Sequence, residues 1–439
     1  MVDSTNDYAS LHVIYDDSTH DYASLCVIYD DSTNDYASLH VIYDDSTHDY
    51  ASLQVIYDDS THDYASLLTT YNKMLNNWLS PIPDNPNRQG LDAFHFGRNI
   101  DMFSGEMPNL ESTSVALIGL ENKGADAIRT ALYRMAFAFD GLKVADLGNI
   151  RKPDIQFIIP VVRELIESNI CPVLIGSDPA LVQAQFKGFF ELKDWISLAV
   201  ADERVAVNSA DPADPDAYLN PIALDKKTRL FHLACIGCQA HYMPPAVVNW
   251  MEDRYFECLR LGRAKSDLSE LEPVIRDADL FCFQLSALKQ AEAPAQRKPS
   301  PSGFTVEEAC QLCRYAGMSD KLRAFGIYGY QPVRDFYKMG AESAAQMIWY
   351  FIDGFYNRKN DYPVSTDGLV EYIVDTNGGD HQVTFWKSSR SGRWWIQAPV
   401  KSSRKNQRHR LIPCSYNDYK LACQDELPDR LIQAFKRFD

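Results

Sequence analysis

The chain has 439 residues and a formal net charge of −17, from 43 Lys and Arg against 60 Asp and Glu. No apolar run reaches membrane length, AAQMIWYFI being too short, and MVDSTNDYAS shows no secretory signal, so the chain is expected to be soluble and intracellular. The ten cysteines read as buried free thiols in a reducing cytoplasm, not as a disulfide framework.

Residues 3 to 72 are five tandem copies of a 14-residue unit, DSTNDYASLHVIYD, starting at Asp3, Asp17, Asp31, Asp45 and Asp59. Only the Asn/His and His/Cys/Gln/Leu positions vary until the last copy drifts into LLTTYN. The copies carry 14 Asp and no Lys or Arg, so all but three of the net negative charges belong to the repeats. The period fits no solenoid architecture. Within each copy SLHVIY is strand-prone and YDDST turn-like, so a weak hairpin stack is one reading. A single unit buries too little to fold alone, and a disordered acidic tail over residues 1–72 is the reading preferred. A tether for a partner is the functional option there and a neutral expansion the plainer one.

Residues 73–110, rich in Pro and Asn, read as a linker or wrapping arm. From 111 to 362 strands and helices alternate: SVALIGL, a helix near Asp126 to Phe139, KVADLG, and a helix near Ile155 to Ser168. Then come three apolar strands in CPVLIGSDPALVQ (171–183), WISLAVADERVAV (195–207) and DLFCFQLSALKQAEAP (279–294). TRLFHLACIG, YFECLRLG and KLRAFGIYGY add strands, and Val333 to Phe355 a closing helix. Such alternation predicts a three-layer α/β/α domain with a largely parallel sheet. Residues 363–439 change to an antiparallel β-rich extension, with turns at TNGGD and SRSG. Between Lys387 and Arg410 this extension carries eight Lys or Arg and no acid. Beside Trp394 and Trp395 that stretch could face nucleic acid, but a solvated or acid-tail-binding face is the reading preferred. Cys235/Cys238 and Cys310/Cys313 are C-x-x-C pairs 71 residues apart, too distant for a zinc ribbon.

The three central strands break into polar residues where they would emerge at their carboxyl ends, the edge at which open α/β sheets place ligands. Alternation puts Asp202, Arg204 and Ala206 on one face, and likewise Gln284 and Ser286. These segments resemble, in order, the Gly-Gly-Asp-His, Asp-Ala-His-x-Asp and Ser-x-Asp-x-Asp metal motifs of the arginase, agmatinase and formimidoylglutamase family, the ureohydrolases. GFTVEEACQLCRYAGMSDKLRAFGIYGYQP, AAQMIWYFIDGFYNRKNDYP, KSSRSGRWW and LIPCSYNDY resemble the formimidoylglutamase branch with a C-terminal extension. The resemblance runs from about Leu110 to the end and implies the arginase-like ureohydrolase fold. It also implies two manganese ions that activate water against a linear amidine or guanidino carbon, and a trimeric or hexameric homo-oligomer.

Carried over by position, the first motif falls on Gly176, Ser177, Asp178 and Pro179, with Pro179 in place of the ligand His. In the second, Asp202 keeps its ligand while Arg204 and Ala206 replace His and Asp. In the third, Gln284 and Ser286 replace both Asp. Asp202 is thus the one retained metal position of six. A pair of divalent ions needs several anionic oxygens or imidazoles. A guanidinium 4 Å from a divalent ion would repel it by about 8 kcal/mol at an effective dielectric near 20. Asp178 and Glu292 lie near the lost positions as substitute ligands. The alternative preferred for Asp178 is that it caps the helix beginning at Pro179. For Arg204 two readings stay open: pairing with Asp202 in the vacated metal space, or pointing to solvent. The resulting expectation is a catalytically degenerate ureohydrolase-fold protein with no cofactor, binding a small molecule or protein and neither membrane nor nucleic acid. An active manganese-dependent hydrolase is the alternative.

Overall fold

Turn-prone acidic stretches and strand-prone stretches alternate every seven residues or so in the N-terminal repeats, and the strand-prone ones pair. The computed structural model describes the backbone of residues 10–15, 22–29, 37–44 and 52–56, and residues 75–82, 90–192, 195–363, 368–376, 381–398 and 411–438. The chain divides into two units, Met1–Thr69 and Thr70–Asp439. In the first, β1 (Ser10–Tyr15), β2 (Tyr22–Tyr29), β3 (Ala37–Asp44) and β4 (Ser52–Ile56) form an antiparallel sheet in sequence order. The rest of residues 1–72, for which a disordered tail is expected, lies outside the described residues. One unit has too little to bury, but near-identical copies present each strand with a partner of the same pattern.

In the second unit the sheet has ten strands: β5 (Leu79–Ser80), β6 (Asp101–Met102), β7 (Val115–Gly119), β8 (Val144–Ile150), β9 (Cys171–Ile175), β10 (Ile196–Ala201), β11 (Leu230–Cys238), β12 (Glu257–Arg260), β13 (Leu280–Gln284) and β14 (Ala324–Tyr328). The order is β12-β11-β10-β13-β14-β9-β7-β8-β5, with β6 also on β8, and every pairing is parallel except β5 with β8. Near-continuous apolar runs are what a strand covered on both faces requires, and alternate residues go to two separate cores. Val173, Ala199, Phe281, Phe283 and Phe325 face one core with the helices Val306–Met318 and Met339–Tyr356. Leu174, Leu198, Val200, Leu280 and Cys282 face the other with the helix Ile155–Glu167. The result is three layers, α/β/α, as expected.

Two helices begin or end away from their expected bounds. The first runs Asn122–Leu132, not to Phe139, because Met135 and Phe137 exchange backbone hydrogen bonds with Phe96 and Phe94 of the N-terminal arm. The last runs Met339–Tyr356. Asp335 accepts from the amides of Gly340 (3.2 Å) and Ala341 (2.9 Å), so it holds the chain out of the helix until Lys338, which is left-handed at φ 60°. Arg129, buried on the first helix, donates two hydrogen bonds to Asp146 (2.7 and 2.9 Å) and others to Asn149 and the Gly148 carbonyl, clamping that helix to β8.

The C-terminal extension is an antiparallel sheet of β15 (Leu369–Thr376), β16 (His381–Ser388), β17 (Trp394–Gln397) and β18 (Leu411–Cys414), in that order. Arg276 of the α/β layer stacks on Trp395 at 4.6 Å and donates to the carbonyls of Trp394 and Cys414. Of the basic stretch, Arg393 is paired with Glu272 and Asp361 and Lys387 lies over Trp394. Residues 399–410 lie outside the described residues. The nine described cysteines are free thiols, with Cys310 and Cys313 on one helix. Among the described residues no helix is long and apolar enough to cross a membrane.

Candidate functional site

β9, β10 and β13 are neighbours or near neighbours in the middle of the sheet, so their carboxyl ends converge on a small cleft of about 40 Å³. It is lined by Pro179, Asp202, Arg204, Gln284 and Ser286, joined by Glu203, Tyr218, Asp216, Arg297, Lys298 and Gly329 among others. Five of the sequence-derived candidates therefore meet in one place. Three do not line it. Ala206 is packed in the apolar core, and Glu292 accepts from the Val306 amide at 3.4 Å while its carbonyl accepts from Ser343. Asp178 accepts from the Ala180 amide at 3.0 Å, capping the short 3₁₀ turn Pro179–Leu181, and pairs with Arg297 at 3.2 Å. The capping role expected for Asp178 is thus present.

Asp202 is the centre of the site. It is 4% exposed, and both carboxylate oxygens are satisfied by the protein. Ser286 Oγ donates to Oδ1 at 2.5 Å, the Glu203 amide donates to Oδ1 at 2.7 Å, and Tyr218 OH donates to Oδ2 at 2.8 Å. Burial pushes the Asp202 carboxyl up to about 6 against the pull of these hydrogen bonds, and the Glu203 charge adds to the rise. Loss of hydration outweighs three donors here because a buried carboxylate gives up water on every side.

Arg204 departs from both readings left open for it. Its guanidinium donates to Glu203, the closest contact being 2.5 Å, and lies 5.0 Å over the Tyr242 ring. The strict alternation expected from 202 to 206 fails because β10 ends at Ala201. Beyond it the backbone no longer turns side chains by half-turns. Arg297 and Lys298 at the rim are each paired, with Asp178 and Asp216 respectively.

Gln284 is different in kind. It is 1% exposed, lines the cleft, and neither its amide nitrogen nor its amide oxygen has a hydrogen-bond partner in the protein. An amide buried with both ends open costs about 1–3 kcal/mol unless something in the cleft satisfies it. Tyr218, Glu203 and the Arg297/Lys298 pair carry no signal in the sequence, because each reaches the cleft from a loop. Among the residues whose side chains are described, no group of three or more His, Cys, Asp or Glu is placed to hold a metal ion.

Comparison with known proteins agrees with this fold. The chain is 22% identical over 280 residues to the formimidoylglutamase of Photorhabdus laumondii, a match spanning 57% of this chain and 88% of that one. The formimidoylglutamase of Bacillus subtilis superposes with a TM-score of 0.54 at 17% identity, covering 64% of this chain and 98% of that structure. The formiminoglutamase of Trypanosoma cruzi with Mn²⁺ superposes with a TM-score of 0.52 at 17% identity, covering 57% and 96%. No family model matches the chain. The chain is formimidoylglutamase-like and has the arginase-type ureohydrolase fold.

Proposed function

We propose that this formimidoylglutamase-like chain is a catalytically degenerate member of the ureohydrolase fold, a binding or scaffold protein that lacks the dinuclear metal site. The observation that carries the reading is the occupation of Asp202. Its two oxygens are taken by Ser286, Tyr218 and the Glu203 amide, and Ser286 itself stands at a former ligand position. The other former positions hold Pro179, Arg204, Ala206 and Gln284. This donor set does not fit two manganese ions, which need several anionic oxygens or imidazoles to replace their water. What remains is a cleft with one open amide, suited to a small molecule that offers a donor and an acceptor side by side. The free thiols are consistent with a reducing, cytoplasmic setting.

A second reading, a working manganese-dependent hydrolase of linear amidines or guanidines, is favoured by the names of its relatives, one of which is a formiminoglutamase solved with Mn²⁺. The test is elemental analysis of protein loaded with manganese beside an Asp202→Asn control, with formimidoyl and guanidino substrates assayed for formamide and urea. Degeneracy predicts no manganese above the control and no product. Near-stoichiometric manganese with product release would establish the hydrolase.

A further inference from the structure

Gln284 is the last residue of β13 and lines the cleft beside Asp202. It is 1% exposed, and no described residue partners its Nε2 or its Oε1. The space next to that oxygen is kept by Gly329, whose φ of 85° suits glycine and where a Cβ would lie 3.6 Å from Gln284 Oε1. The charged groups around it are already committed. Asp202 accepts from Ser286, Tyr218 and the Glu203 amide, while Arg204 is paired with Glu203, Arg297 with Asp178 and Lys298 with Asp216. The Gln284 amide thus offers the cleft one donor and one acceptor, both uncommitted. A volume of about 40 Å³ has room for about three water-sized groups, which is the size of one carbon, one oxygen and one nitrogen.

We propose that the cleft binds a neutral carboxamide, whose carbonyl accepts from Gln284 Nε2 and whose N–H donates to Gln284 Oε1. The inference rests on the reading of the cleft as metal-free and names its ligand class. Matching of donors and acceptors selects this group over its charged relatives. A carboxylate offers acceptors alone. It satisfies Nε2, leaves Oε1 open and brings a further negative charge to Asp202 and Glu203, both of them buried. An amidinium or guanidinium offers donors alone and leaves Nε2 open. Its charge gains little, because both oxygens of Asp202 already hold donors. One amide end left open in the complex costs about tenfold in affinity or more. Pro179, Pro215 and Tyr218 bound the cleft as well, so the carboxamide is best carried on a short apolar stem.

The test uses the full chain, isotope-labelled at its glutamine amides, with acetamide, acetate and acetamidinium as probes at neutral pH. Affinity is read from ligand-observed saturation transfer, and contact from the side-chain amide signal that Gln284→Leu removes. The expected result is a saturable shift of that signal by acetamide with a Kd on the order of 1 mM, a ligand of four heavy atoms having little surface to bury. Acetate and acetamidinium bind about tenfold more weakly or worse. Gln284→Leu weakens acetamide by about tenfold or more while its melting transition shows the fold retained. Gln284→Glu replaces the donor by an acceptor and turns the preference from acetamide to acetamidinium, an outcome that damage to the fold cannot imitate. Equal affinity for the three probes, acetamide binding that survives Gln284→Leu, or a preference unchanged in Gln284→Glu would each overturn the proposal. Manganese content of the same sample separates two failures: metal-free protein that ignores acetamide overturns the inference alone, and near-stoichiometric manganese overturns the reading beneath it as well.

Discussion

Asp202 is the buried carboxylate at the centre of the cleft. A carboxylate suited to a metal ion is here held by two hydroxyls and an amide, and its carboxyl is raised from 3.8 to about 6. The folded state therefore holds that proton more tightly than the unfolded chain. The contribution to stability is full below about pH 4 and is lost as pH rises through 6. Asp202→Asn removes this titration. In chemical denaturation the variant should gain on the native protein by on the order of 2 kcal/mol between pH 4 and 7; a gap that does not change with pH refutes this. The place of Asp202 at a strand end was legible in the sequence, because its segment reads as an apolar strand breaking into polar residues. Its partners were not: Ser286 lies 84 positions away and Tyr218 arrives from a loop without periodicity. Arg204 shows the same limit, since two acids, Asp202 and Glu203, lay within reach and only the end of β10 at Ala201 decided between them.

At the scale of elements, the parallel strands announce themselves by unbroken apolar runs, while helix bounds depend on competition for backbone hydrogen bonds. The first helix stops at Leu132 because the arm at Phe94–Phe96 takes the next amides and carbonyls, a contact between segments some forty residues apart. The helices Val306–Met318 and Met339–Tyr356 approach so closely that a Cβ on Gly354 would meet the Arg314 carbonyl at 2.2 Å, and one on Gly317 would meet the Phe351 carbonyl at 2.0 Å. Backbone cannot swing aside as a side chain can. Gly354→Ala should therefore cost about 1–3 kcal/mol or more in urea unfolding, against a Gly105→Ala control whose Cβ meets nothing within 4 Å. Equal midpoints for the two variants would show that the helices separate freely.

For the whole molecule, charge and fold are partitioned between two units. The 14 Asp of the repeats carry most of the −17, and the unit Thr70–Asp439 holds both apolar cores. Deletion of residues 1–69 should leave the melting temperature of the remaining chain unchanged and shift its elution from an anion exchanger to lower salt. A fall in melting temperature beyond experimental scatter would mean that the repeats support the body. The sequence by itself determined the three-layer class, the repeat period and the residue types at the six positions that the family resemblance aligns with metal ligands. Those follow from properties carried by neighbouring residues: alternation, turn chemistry and side-chain identity. Only the tertiary structure decided that Ser286 and Tyr218 close over Asp202, that Glu203 takes Arg204, and that Gln284 is left with an open amide. Each depends on where distant segments meet, and no local periodicity encodes that distance.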